Sequence, residues 1–137
     1  MLGVSGIPVA TLKSITLVKG GTLTFTVPAG HRYYLSFASF NYVADANVAT
    51  RIVTIYLDHG TPETHFCKFD VTASQNLRTN IGILNAAYAA YLVAGTNTGG
   101  QLLPMAAGDV FNVGVSNGQA GDAWTAYVRV YDVVVGS

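Results

Sequence analysis

The chain has 137 residues, half of them hydrophobic, and its seven Lys or Arg and seven Asp or Glu cancel to a net charge of zero. This length fits one domain. Charged residues make up 10% of the chain, against about 25% in an average soluble domain. The charge balance excludes the basic surface that nucleic acid or an anionic membrane would require, and the apolar content excludes disorder. So few charges favour a chain that associates with its own copies or with a larger assembly.

Cys67 is the single cysteine, so it forms no intrachain disulfide, and its expected role is that of a small buried hydrophobe. Residues 1–10 carry no basic residue ahead of their apolar stretch and do not resemble a signal peptide. The longest nearly apolar run, residues 86–94, falls short of the ~20 residues that a membrane-spanning helix needs. We therefore expect no membrane partner.

Alternating polar and apolar residues, rich in Thr, Val, Tyr and Phe, predict β-strands through most of the chain. Pro and Gly turns separate them at spacings of about ten residues, which predicts an all-β, two-sheet antiparallel sandwich. We expect residues 1–13 to form an N-terminal arm and residues 14–137 a single domain. The predicted strands are residues 14–18, 22–27, 31–43, 51–57, 65–71, 109–115 and 123–135.

Residues 77–93 fit two structures. An alanine-rich stretch and apolar residues at helical spacing predict a short helix, and these apolar residues are Leu77, Ile81, Leu84, Tyr88 and Tyr91. Gly82 and the surrounding strands instead favour a strand followed by a loop. Both alternatives stay open at this stage.

Two segments share a Pro and Gly break between strands, residues 27–30 and residues 103–108. Proline cannot donate to a strand ladder, and glycine allows the positive φ that a tight turn needs. Each break therefore predicts a point at which the chain leaves one strand and restarts, either after a plain turn or in the facing sheet.

Three segments resemble small jelly-roll structural proteins of tailed bacteriophages: residues 102–115, residues 27–30 with the aromatic strand that follows, and the strand over residues 124–135. Capsid decoration (cement) proteins and head-fibre modules belong to this class. The Gly-Asp-Val at residues 108–110 is also similar to C1q-like and tumour-necrosis-factor-like trimers. The resemblance implies an eight-stranded jelly roll and a homotrimer. It also implies a place in a virion assembled in the host cytoplasm, with a major capsid protein or another virion protein as partner.

The last predicted strand is apolar on both faces. Trp124, Ala126, Val128 and Val130 alternate with Tyr127, Tyr131 and Val133. Strands of this kind are usually covered on both sides, and here the second cover is expected to come from another subunit. The aromatic residues predicted to form this interface are Tyr33, Tyr88, Tyr91, Trp124, Tyr127 and Tyr131.

Catalytic and metal-binding motifs are weak. His65 and Cys67 lie two apart in a strand and are expected to face the same side, with His59 across the turn, a set that suits a transition metal. Their spacing is not that of a zinc site, and Gly60 and Pro62 explain the polar segment as a turn. We predict no metal and no cofactor. Because no nucleophile motif, phosphate loop or carboxylate pair is recognisable, we also predict that the protein is not an enzyme.

The sequence thus predicts a non-enzymatic virion structural protein, of the capsid decoration type, that binds by burying apolar strand faces. The alternative is a trimeric receptor- or glycan-binding module of a tail, fibre or cell surface. Its sugar-stacking platform would come from Tyr33, Tyr34, Tyr42, Tyr88, Tyr91 and Trp124. A metal-dependent jelly-roll enzyme is the third hypothesis.

Overall fold

A computed structural model describes residues 10–60, 63–82, 94–97 and 102–135. These residues form ten β-strands and no helix, and none of them forms a helix that could span a membrane. The strands are β1 (Ala10–Val18), β2 (Thr24–Thr26), β3 (His31–Val43), β4 (Arg51–Asp58), β5 (Glu63–Val71), β6 (Asn76–Gly82), β7 (Ala94–Asn97), β8 (Leu103–Met105), β9 (Val110–Ser116) and β10 (Ala123–Val134).

The strands build two sheets that pack face to face. The larger sheet has the order β1-β10-β3-β6-β7, with β8 beside the first part of β3, and the smaller has the order β2-β9-β4-β5. Every pairing is antiparallel except that of β6 with β7. The chain crosses between the sheets at six of the nine connections between these strands, and β1 to β6, β9 and β10 follow the order of a jelly roll. The predicted all-β sandwich of jelly-roll type is confirmed.

Inward-facing side chains of both sheets make one hydrophobic core. Phe40 of the larger sheet links the sheets, because its ring lies 5.6 Å from that of Trp124 and 6.0 Å from that of Phe69 in the smaller sheet. A second aromatic contact stacks Phe25 on Phe111 at 5.1 Å. In β10, the even-numbered residues from Trp124 to Val130 are buried, as the alternation predicts.

The structure decides one open alternative and corrects one predicted boundary. Of the two alternatives for residues 77–93, the strand is correct for residues 77–82, which belong to β6, where Leu77, Thr79 and Ile81 alternate inward with the two-residue period of a strand. Residues 83–93 lie outside the described residues. The first strand begins at Ala10 rather than at residue 14, since residues 10–13 pair with the far end of β10.

The two Pro and Gly breaks occur where the chain changes sheets, which decides between the two alternatives for them. The first leads from β2 in the smaller sheet to β3 in the larger, and the second from β8 in the larger to β9 in the smaller. They also contact each other, because the Gly108 N–H donates to Val27 O and the Val27 N–H donates to Asp109 O, both at 2.9 Å. Gly30 and Gly108 both have positive φ, at 78° and 89°.

Gly108→Ala should destabilise the fold by about 1–2 kcal/mol, because an L residue at this φ is strained. A Cβ at Gly108 would meet no atom within 4 Å, so the cost is that of the backbone alone. Gly114→Ala is the matched control: its Cβ would lie at ordinary contact distance, 3.6 Å from Tyr56, and the change should stay within about 1 kcal/mol. Urea denaturation measures the free energy of unfolding of both variants. An equal loss of stability in the two would contradict the backbone strain expected at position 108.

Candidate interaction surface

The outer face of the larger sheet carries large apolar side chains at one end. Cross-strand register places Leu12 of β1 opposite Tyr131 of β10, which lies opposite Tyr34 of β3. The next row contains Ser14, Arg129 and Phe37 in the same order. We call these two rows the apolar end. Leu12, Phe37 and Tyr131 expose 48%, 37% and 36% of their surface, so three large apolar side chains lie uncovered side by side.

A β-bulge in β3 produces this arrangement. Opposite β10, the register passes from Leu35 paired with Val130 to Phe37 paired with Arg129, which makes Ser36 an extra residue in β3. Leu35 and Ala38 are therefore both buried, and Phe37 faces outward. Without the extra residue, strict alternation from Leu35 would turn Phe37 into the core.

The other end of the same face is polar. Here one row contains Tyr127, Ser39 and Asn80, on β10, β3 and β6 respectively. The next row contains Thr125, Asn41 and Arg78. Between these side chains lies a groove of about 340 Å³, which we call the polar groove. Its lining residues are Ser39, Asn41, Arg78, Asn80 and Tyr127, with Phe40 and Thr79 beneath.

The amide oxygens of Asn41 and Asn80 in the polar groove are buried and accept no hydrogen bond from the described residues. Folded proteins keep few such atoms, and each calls for an explanation. Neither asparagine was predicted from the sequence as a site residue. A signal was present, however, because Ser39 and Asn41 alternate with the buried Phe40 and Tyr42 along β3 and so mark its outer face as polar.

The six aromatic residues predicted to form an interface do not share one surface. Tyr127 and Tyr131 lie on the outer face, Tyr127 with 58% of its surface exposed. Tyr33 and Trp124 were wrong as interface residues: they are only 4% and 6% exposed, because both point inward and pack on Phe25 and Phe40. Tyr88 and Tyr91 lie outside the described residues.

The aromatic platform predicted for a sugar ligand is likewise not formed by the described residues. Tyr42 is fully buried, as are Tyr33 and Trp124 to within a few per cent. Of the described platform residues, Tyr34 alone is partly exposed. The rings that alternate inward along β3 and β10 belong to the core.

The three residues considered for a metal do not come together. A β-bulge makes Phe66 an extra residue in β5, since Cys67 lies opposite Ile55 and His65 opposite Tyr56. The prediction that His65 and Cys67 face the same side was therefore wrong. His65 is exposed, whereas Cys67 packs against the core.

Each of the three residues has its own contacts. His59 Nδ1 lies 3.0 Å from Asp109 Oδ2, and the ring of His65 stacks on Tyr56 at 5.3 Å. Burial raises the pKa of the Cys67 thiol, which disfavours the thiolate that a metal would need. Among the described residues, no three His, Cys, Asp or Glu side chains are grouped to hold a metal ion.

Arg51 is the centre of a buried ionic network at one end of the sandwich. Its side chain is fully buried. Its guanidinium donates from Nε and Nη2 to the Asp122 carboxylate, both at 3.0 Å, and from Nη2 to Asp45 Oδ1 at 2.6 Å. Tyr42 completes the network by donating its hydroxyl to Asp122 Oδ2 at 2.6 Å. Arg51 and Asp122 thus satisfy each other away from water, and Asp45 lies at the edge of the network with 16% of its side chain exposed.

The network joins two loops. Asp122 accepts the N–H groups of Asp45 and Gln119, and Asp45 accepts the N–H of Gly121. Lys19 adds a third segment, because its Nζ donates to the carbonyl oxygens of Gln119, Ala120 and Asp122 at 2.7–3.2 Å. This network was not predicted from the sequence, and no local pattern marks it, since 71 residues separate Arg51 from Asp122.

The network also controls ionisation. Burial opposes ionisation of Asp122, but hydrogen bonds from Arg51, Tyr42 and two backbone N–H groups outweigh it and hold the pKa of Asp122 well below its ordinary 3.8. Burial and the hydrogen bond to Asp122 raise the pKa of the Tyr42 phenol well above its ordinary value. The network therefore exists as a carboxylate, a guanidinium and a neutral phenol at neutral pH.

Asp122→Ala should lower the free energy of unfolding by about 3–5 kcal/mol at pH 7, because it leaves Arg51 buried without its main partner. Since the pKa of Asp122 is lower in the folded chain than in the unfolded chain, its contribution is complete above about pH 4 and declines as the pH falls further. The difference between the native protein and the variant should therefore shrink below pH 4.

Urea denaturation from pH 7 to pH 2.5 measures this difference. Asp70→Ala is the control, since it removes an exposed carboxylate from β5 and should cost at most about 0.5 kcal/mol. The proposed role of the network would be contradicted if Asp122→Ala lost no more free energy of unfolding than Asp70→Ala. It would also be contradicted if the loss in Asp122→Ala grew as the pH falls.

Comparison of the chain with known protein families, with curated proteins and with solved structures gives no match. The resemblance to phage decoration proteins therefore stays a prediction from the sequence. What the chain does has to be inferred from the surfaces that its strands build.

Proposed function

We propose that the protein is a non-enzymatic structural component of a virus particle, of the capsid decoration type, and that it assembles as a homotrimer. The observation that carries this proposal is the apolar end of the larger sheet. Leu12, Phe37 and Tyr131 lie uncovered in adjacent rows of a chain in which half of all residues are hydrophobic and 10% are charged. Exposed apolar side chains grouped in this way favour a contact surface.

Burial of the apolar end would supply the driving force for assembly. Apolar area removed from water contributes about 25 cal/mol per Å², before the cost of association. Arg129 is the charged residue of the two rows, and its Nε donates to Ser14 Oγ at 3.4 Å. Its aliphatic stem can be covered while the guanidinium stays at the edge of the contact.

Two histidine–carboxylate pairs support a structural rather than a catalytic role. His31 Nδ1 lies 2.6 Å from Asp132 Oδ1, and the other oxygen of Asp132 accepts a hydrogen bond from Lys13. Asp109 Oδ2, which contacts His59, also accepts the N–H of Ala106. In both pairs the carboxylate holds together segments distant in the chain.

The native mass tests the trimer. At micromolar concentration we expect sedimentation equilibrium to give three times the chain mass of 14.4 kDa. A Leu12→Glu, Tyr131→Glu double variant places two carboxylates in the apolar end and should sediment as a monomer of unchanged secondary structure. Val48→Glu, at a loop residue that is 98% exposed, should behave like the native protein. A monomeric native protein would overturn the trimer.

The role in the particle has its own test. Mass spectrometry should find the chain in the heads of purified particles of the virus that encodes it. Heads that lack the chain should still assemble but release their genome at a lower temperature, and addition of the native protein or of Val48→Glu should restore the higher temperature. The double variant should not. Absence from particles would contradict the proposal, and presence in tails alone would favour the receptor-binding alternative.

A further inference from the structure

We propose that the polar groove of the larger sheet is a binding site for a neutral carbohydrate. This site is distinct from the apolar end and does not depend on the decoration role. The groove offers five side chains that suit sugar hydroxyls and sugar ring faces: Ser39, Asn41, Arg78, Asn80 and Tyr127. Its volume of about 340 Å³ lies at the lower end of the range for small-ligand sites, which suits one or two sugar rings.

The strand register fixes the spacing of the polar groups. Ser39 lies directly opposite Asn80, and Asn41 directly opposite Arg78. Directly opposed residues of antiparallel strands have Cβ atoms about 5 Å apart, and diagonal neighbours are about 7–8 Å apart. Asn41 and Asn80 therefore form a diagonal across the groove, with a hydroxyl and a guanidinium at the other two corners.

The two asparagine amides indicate the chemistry of the ligand. Each side chain carries both a donor and an acceptor, and rotation about χ2 exchanges their positions. Both oxygens are closed off from solvent and accept no hydrogen bond among the described residues, so a ligand hydroxyl reaches them once the amides turn about χ2 and bring the oxygens into the groove. Sugar hydroxyls both donate and accept, and they match paired amides better than a group that only accepts.

Tyr127 supplies the apolar part of such a site. Its side chain is 58% exposed and stands at the edge of the groove. An exposed aromatic ring stacks on the C–H face of a sugar and keeps its hydroxyl free for a polar contact. Arg78 lies across the groove on β6, where its fork of N–H donors can span neighbouring hydroxyls.

The position of the groove argues against other ligand classes. It is centred on β3, which is paired with β10 on one side and β6 on the other, so it offers no free strand edge to an added peptide strand. Arg78 is the one cation among the five side chains, which is too little positive charge for nucleic acid.

An oligosaccharide array probed with the labelled full chain tests the site. We expect binding to at least one class of neutral oligosaccharide, with an affinity that falls at least tenfold in Tyr127→Ala. Tyr56→Ala removes a tyrosine from the outer face of the smaller sheet and should bind like the native protein. Circular dichroism of both variants serves as the control that they are folded.

A second measurement uses the native protein and needs no amino-acid substitution. In ¹H–¹⁵N spectra of the native protein, titration with the bound oligosaccharide should shift the side-chain amide signals of Asn41 and Asn80. Those of Asn47 and Asn117, which lie in loops, should not move. The proposal is overturned if no oligosaccharide of the array binds and if millimolar glucose, galactose, mannose and N-acetylglucosamine leave these signals unmoved. It is also overturned if Tyr127→Ala and Tyr56→Ala lose carbohydrate affinity equally.

One further outcome assigns the groove to a different partner. If Asn41→Ala and Asn80→Ala change the native mass and leave carbohydrate binding unaltered, the amides belong to a contact between copies and the carbohydrate proposal is wrong. Loss of carbohydrate binding at constant mass supports it. The mass of the Leu12→Glu, Tyr131→Glu variant reports on the trimer separately, so the two proposals can fail independently.

Discussion

The antiparallel pairing of β3 with β10 decides which side chains of this protein face the core and which face outward. Both strands have neighbours on both sides, β10 with β1 and β3 with β8 and β6. Their backbone groups are therefore used within the sheet, and only their two faces remain for other contacts. One extra residue, Ser36, divides the outer face into an apolar end and a polar end. A single bulge thus separates a surface suited to protein contacts from one suited to a polar ligand.

Much of this arrangement can be predicted from the sequence, because the period of a strand is recorded directly in the order of residue types. Strand β3 has the predicted bounds, and β10 differs by one residue at its end. The faces of β10 are also as predicted, with Trp124 to Val130 inward at even positions and Tyr127 and Tyr131 outward. The two Pro and Gly breaks predict where one strand ends and the next begins, because they interrupt hydrogen bonding in a way that few other residues do.

The remaining features depend on information that is not local. An inserted residue such as Ser36 or Phe66 looks like any other residue of its strand, yet it reverses the faces beyond it. Leu77 and Ile81 are four apart, a spacing that fits both a helix and a strand, so only the pairing with β3 decides between them. Exposure of an aromatic residue depends on what the facing sheet places above it, as Phe40 shows, whose ring meets that of Phe69 in the smaller sheet. The polar groove combines residues from three strands.

The buried Arg51 has a consequence for how this end of the sandwich can change. Residues 44–50 and residues 117–122 both hydrogen-bond to one guanidinium or to its two carboxylate partners. Neither loop can therefore be lengthened, shortened or exchanged without moving the groups that hold the other. Anyone who grafts a peptide onto this scaffold must treat the two loops and Arg51 as one unit. Such coupling also restricts natural variation here, because compatible changes have to arise together in segments about 70 residues apart.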